Sequence, residues 1–176
     1  SLLETDLAGV APQANWNNLA SAVGAGVILN DDSGVASGAS LTWTLDEEWS
    51  AGGPGADANG TLLNGWISAN TAGVTNTIDI SDIPYGSYDL IFYLNHDRGT
   101  EDVLISESNG AFTQFLAHEN DTDILNPVTF SQQVATAEGD ASQSGNFLVI
   151  PNLTSPNLNL VLDPGGEAGS ADRGAI

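Results

Sequence analysis

The side chains with chemical potential in this chain are acidic and aromatic. Trp49 follows Asp46-Glu47-Glu48 and opens a stretch rich in glycine, alanine and proline, Ser50–Gly60. An indole beside carboxylates can stack on a sugar ring while the acids accept its hydroxyls. Trp49, Glu47 and Glu48 therefore make a candidate ligand site, and Tyr85, at the tip of Pro84-Tyr85-Gly86, is a second candidate aromatic. The other tryptophans read as packing residues. Trp43 falls on the inward face of an alternating strand, Trp16 sits among asparagines, and Trp66 begins a short apolar burst.

Carboxylate clusters suggest a hard cation. Calcium takes roughly 6–8 oxygen ligands from carboxylates, amides and backbone carbonyls. Asp97, Glu101 and Asp102 share one loop with Asn95 close by, and Asp121 and Asp123 flank Thr122 beside Glu119 and Asn120. Asp31 and Asp32 share a turn with Asn30. None has the EF-hand spacing, so Ca2+ is expected at one of these clusters without a motif to choose between them.

Catalytic patterns are sparse. His96 adjoins Asp97 and Arg98, and His118 precedes Glu119, but neither accompanies a Gly-x-Ser-x-Gly elbow or a zinc-type His pair. Gly52-Gly53-Pro54-Gly55 lacks the following Lys-Ser/Thr of a phosphate loop. With 23 acidic residues, carboxylate pairs arise by chance, so a paired-carboxylate glycosidase is the minor alternative to a non-catalytic domain.

The balance of charge removes whole classes of partner. Two basic residues, Arg98 and Arg173, against 23 acidic ones give 176 residues a formal charge of −21, with no lysine. Nucleic acid needs a basic stripe to replace its counterions, and anionic lipids or glycans are repelled for the same reason. Each arginine is expected to pair with neighbouring carboxylates. No apolar run approaches the roughly 20 residues of a membrane helix. There is no cysteine, which excludes disulfides and thiolate chemistry. The chain starts at Ser1 with no visible signal peptide, which fits a processed or trimmed polypeptide.

The elements that must carry these residues are short strands. Thr75–Ile80 and Asn157–Asp163 alternate cleanly, the latter with Leu158, Leu160 and Leu162 on one face, and Ser40–Leu45 aligns Leu41, Trp43 and Leu45. Ser87–Asn95 is apolar on both faces and reads as a central strand covered on both sides. Gly26–Asn30, Asp102–Ser106, Ala111–Ala117, Val128–Ala135 and Asn146–Ile150 complete about nine strands. Ser108-Asn109-Gly110 is the clearest hairpin turn. Only Gln13–Ala22 suggests a helical turn, and Ser50–Gly60 reads as an irregular loop. The pattern predicts an all-β, antiparallel β-sandwich or jelly roll with little helix, as one domain over residues 1–176.

Four segments carry a family likeness. They are Ala8-Gly9-Val10 with Pro12–Leu19; Leu62-Leu63-Asn64-Gly65-Trp66-Ile67; Ile78–Pro84 leading into Tyr88–Tyr93; and Gly145-Asn146-Phe147 with Leu153-Thr154. In order and spacing the chain resembles a domain of secreted and PEP-CTERM-type surface proteins of environmental bacteria, a galactose-binding-like sandwich. The resemblance implies an extracellular or cell-surface domain. Relatives carry a strand before the Ala-Gly-Val segment and another after the match to Arg173–Ile176, so this chain begins and ends just inside both. Two functions follow as expectations. One is a structural building block of an extracellular layer, matrix or filament, self-associating by edge-strand pairing with Ca2+ bridging. The other is a carbohydrate-binding module for a neutral polysaccharide with Ca2+-supported loops.

Overall fold

A computed structural model describes residues 1–50, 53–69, 76–95, 102–117, 126–134, 145–163 and 174–175. In chain order the strands are β1 (Val23–Asn30), β2 (Ala36–Thr44), β3 (Glu47–Ser50), β4 (Gly65–Ala69), β5 (Asn76–Ser81) and β6 (Tyr88–Tyr93). They continue as β7 (Asp102–Glu107), β8 (Thr113–Ala117), β9 (Phe147–Leu153), β10 (Leu158–Asp163) and β11 (Gly174–Ala175). One short helix, α1 (Ala58–Leu62), precedes β4.

The fold is an all-β sandwich in which every pairing between named strands is antiparallel. A six-stranded sheet has the order β1-β2-β5-β10-β7-β8, a two-stranded sheet joins β6 to β9, and a three-stranded sheet runs β11-β4-β3. Alternation explains the layering. Leu158, Leu160 and Leu162 of β10 point into the core from the middle of the large sheet, joined by Trp43, Ile78 and Ile105. Phe92, Leu148, Ile150 and Leu153 close the core from the two-stranded sheet. Each such side chain contributes about 1.5–3 kcal/mol by leaving water, which makes this cluster the main stabilising term.

The core tolerates little change at Trp43. Its ring lies over Gly24, where an added Cβ would come within 2.1 Å of the indole, and its ring N–H donates to the Ser21 carbonyl at 2.9 Å. Glycine at position 24 is thus the condition for burying a tryptophan across the β1–β2 ladder.

Four local expectations need correction. Gln13–Ala22 forms no helix: Asn15 has φ 54°, and the asparagine side chains bond to distant backbone instead. Such side-chain amides compete with helical hydrogen bonds, which is why they settle in turns. The helix lies where a loop was expected, because Asp57 caps it by accepting from the Gly60 N–H at 2.7 Å. Val128–Ala135, as far as residue 134, makes no ladder strand. It is tied to β9 by one parallel bridge, Gln132 to Phe147, and by the Asn146 amide. Finally, β6 is not central, since β9 is its one partner strand among the described residues. Its second face is covered by irregular chain rather than by a sheet. The Val10 N–H donates to the Tyr93 hydroxyl at 3.0 Å, and Trp16 and Phe130 pack on Tyr93 with ring centroids 5.9 and 5.6 Å away.

Candidate binding surfaces

The first candidate surface is the β3 strand. Glu47, Glu48 and Trp49 occupy consecutive positions on this outer strand of the three-stranded sheet, with Trp49 registered opposite Trp66 of β4. Strand parity puts Glu47 and Trp49 on one face and Glu48 on the other. Trp49 is 57% exposed, whereas Trp43 is 4% exposed, so the two tryptophans separate as their sequence settings suggested. The Asn64 side chain donates to the Gly53 carbonyl and so pins the loop that follows β3. Tyr85 is 54% exposed but stands on the separate turn between β5 and β6. The structure thus brings Glu47 and Trp49 to one face of β3, puts Glu48 on the opposite face and leaves Tyr85 on another element.

Of the candidate metal ligands, Asp97, Glu101, Asp121 and Asp123 lie outside the described residues, as do His96, His118, Arg98 and Arg173. Asp102 opens β7, registered opposite Ala117. Among the described residues no group of three or more His, Cys, Asp and Glu side chains is placed to hold a metal ion. Asp31 serves its own turn, where its carboxylate accepts from the Ser33 and Val35 N–H groups at 2.9 and 3.0 Å.

The carboxylate that sequence reasoning missed is Glu107. It is 4% exposed and sits at the end of β7, directly before the Ser108-Asn109-Gly110 turn. One of its oxygens accepts from the Asn109 N–H at 2.8 Å and the Ala111 N–H at 3.4 Å. The other accepts from the Asn109 side chain at 3.0 Å and the Asn159 N–H at 3.5 Å. Burial pushes its pKa up, but these donors outweigh that effect and hold it below the ordinary 4.5. Nearby, Tyr88 is raised above its ordinary value, chiefly by burial and secondarily by the Glu107 charge. Its hydroxyl donates to the Ser155 carbonyl at 2.6 Å. The signal for Glu107 was an acid abutting an Asn-Gly turn, where its oxygens can reach the turn's N–H groups.

The second candidate surface is the pair of outer strands of the six-stranded sheet. Neither β1 (VGAGVILN) nor β8 (TQFLA) contains a charged residue. The two edges differ in geometry. Along β1 the register with β2 shifts twice, between Gly24 and Val27 and again between Ile28 and Asn30. The Gly26 N–H turns onto the Thr42 hydroxyl at 2.9 Å. The Asn17 side chain then takes both polar groups of Asn30, donating to its carbonyl and accepting from its N–H, each at 2.9 Å. Along β8 the register with β7 runs through five consecutive pairs without a shift.

No known protein family, characterised protein or solved structure gives a significant match to this chain.

Proposed function

We propose that this is a non-catalytic building block of an extracellular layer, matrix or filament, whose copies join along a sheet edge while Ca2+ bridges acidic loops. The carrying observation is the absence of charge from both outer strands of the six-stranded sheet in a chain of net charge −21. Sandwiches that stay monomeric commonly guard their edges with charged residues, lysine above all, and this chain has no lysine. The likeness to PEP-CTERM-type surface domains belongs to the same proposal and supplies the cell-surface location. Sedimentation velocity and negative-stain electron microscopy, in millimolar calcium and in chelator, test it. Polymers in calcium that shorten or dissolve in chelator are the expected result. A monomer in both conditions at high protein concentration overturns the reading.

A second reading rests on Trp49, a large ring exposed on a strand rather than on a loop tip. In that reading the face of β3 that carries Trp49 stacks on a neutral polysaccharide, and Glu47 on the same face accepts its hydroxyls. Retardation in gels containing a neutral glycan, abolished by Trp49→Ala, is the outcome it requires. Equal mobility with and without glycan removes it.

A further inference from the structure

We propose that two copies of this chain pair through β8, antiparallel and in the register centred on Phe115, so that two six-stranded sheets become one. The inference rests on the assembly reading above and names the edge, the partner and the register.

The parity of the β7–β8 ladder decides which backbone groups of β8 face outward. The Glu107 N–H donates to the Phe112 carbonyl at 3.0 Å, so these two residues face each other through their backbone groups. In an antiparallel pair the next residues turn those groups away. Ser106 pairs with Thr113, Leu104 with Phe115 and Asp102 with Ala117. Thr113, Phe115 and Ala117 therefore direct their N–H and C=O groups to the outer edge, while Phe112, Gln114 and Leu116 direct theirs at β7. Among the described residues, β7 is the one strand paired with β8.

That row is complementary to itself. Setting Phe115 opposite Phe115 of a second copy brings Thr113 opposite Ala117 twice over. All three outward-facing residues then meet outward-facing partners, giving about six hydrogen bonds. Shifting one copy by a single residue puts outward groups against inward ones, and shifting it by two leaves Thr113 or Ala117 of each copy without an outward partner on β8, so parity and strand length together select the register.

Charge selects the partner. From Ser108 to Ala117 the chain has no ionised side chain. A cationic partner would find its attraction on the acidic loops, not on this strand. A second copy, carrying its own −21, meets the least like-charge repulsion where both surfaces are neutral. The hairpin is also held in shape before any partner arrives, because the buried Glu107 carboxylate grips the Asn109 and Ala111 N–H groups of its turn. An edge already ordered loses little entropy on pairing.

Sedimentation equilibrium in chelator, combined with amide hydrogen exchange on the full chain, tests the proposal. A dimer is expected, with exchange at Thr113, Phe115 and Ala117 slowed at least tenfold relative to the dilute monomer. Gln114 and Leu116, already bonded to β7, should change little. Thr113→Pro removes one outward donor at the first strand position, where proline is tolerated, and should weaken the dimer at least tenfold. Gln114→Glu leaves the backbone intact and should weaken it by repulsion that added salt partly reverses. Ile28→Lys on β1 should leave it unchanged. A dimer without the alternating protection, or one indifferent to both β8 variants, overturns the inference. A wild-type chain that stays monomeric in chelator yet polymerises in calcium overturns it while the building-block reading stands. A β8 dimer that never polymerises does the reverse.

Discussion

Glu107 shows how a single side chain can hold an element in place. Its carboxylate is buried, ionised and bonded to three backbone N–H groups and one side-chain amide. Hydrogen bonds to a charged group contribute about 1.5–3 kcal/mol, so Glu107→Gln is expected to destabilise the domain by about 2 kcal/mol at pH 7. The pH dependence has a definite sign. The folded-state pKa lies below the 4.5 of a free glutamate, so the unfolded chain takes up protons first on acidification. The stabilisation is complete above about pH 5–6 and fades as pH falls through 4.5 towards the folded value. Urea titrations of wild type and Glu107→Gln should give a gap that is widest at neutral pH and narrows by pH 3. A gap independent of pH would contradict this account. The residue was hard to find in the sequence because an acid before a turn is ordinarily solvated, and only the fold's burial of β7 changes that. Trp43 was easier, since alternation alone turned it inward.

At the scale of elements, the regular strands follow local pattern and the irregular segments follow partners far away in sequence. β5 and β10 were legible because alternation over six residues fixes which face is apolar. The segment before β1 was not legible, because its conformation is set by contacts no local rule contains. Asn18 exchanges two hydrogen bonds with the backbone of Leu2, both at 2.9 Å, while Asn17 does the same to Asn30. The Trp16-Asn17-Asn18 motif is thereby a clasp joining the N-terminal segment to the end of β1. β3 and β4 escaped notice because neither EEWS nor GWISA alternates apolar with polar residues. Asn17→Ala and Asn18→Ala should each cost about 1–2 kcal/mol. Limited proteolysis should then cut the first twenty or so residues faster than in wild type, with cleavage elsewhere unchanged. Equal cleavage rates would show that the segment is held by other contacts.

For the whole molecule, charge and fold pull against each other. A net charge of −21 with a sequence pI near 4.1 gives a compact body that repels itself at neutral pH. Raising NaCl from about 10 to 200 mM shortens the Debye length from roughly 30 to 7 Å and should raise Tm by several degrees. If calcium bridges acidic loops, it should raise Tm further than magnesium at equal ionic strength. A Tm unmoved by salt would mean the carboxylates are already neutralised. Acidification towards the pI relieves the global repulsion while removing the Glu107 contribution. Wild type should therefore gain less from mild acid than Glu107→Gln does.

The two dissimilar outer strands of the six-stranded sheet have a consequence for growth. In the vocabulary of polymer chemistry, a monomer reactive at both ends makes chains, and a monomer reactive at one end makes only couples. The shifted register of β1 and the Asn17 amide on Asn30 act as an end-cap, so the hydrogen-bonding axis has a functionality of one. Joining two such sheets exhausts that axis and leaves a capped strand at either extremity. A layer or filament built from this domain must therefore extend at right angles to its strands' hydrogen bonds. The same end-cap would keep a lysine-free sandwich from running on into a cross-β fibre.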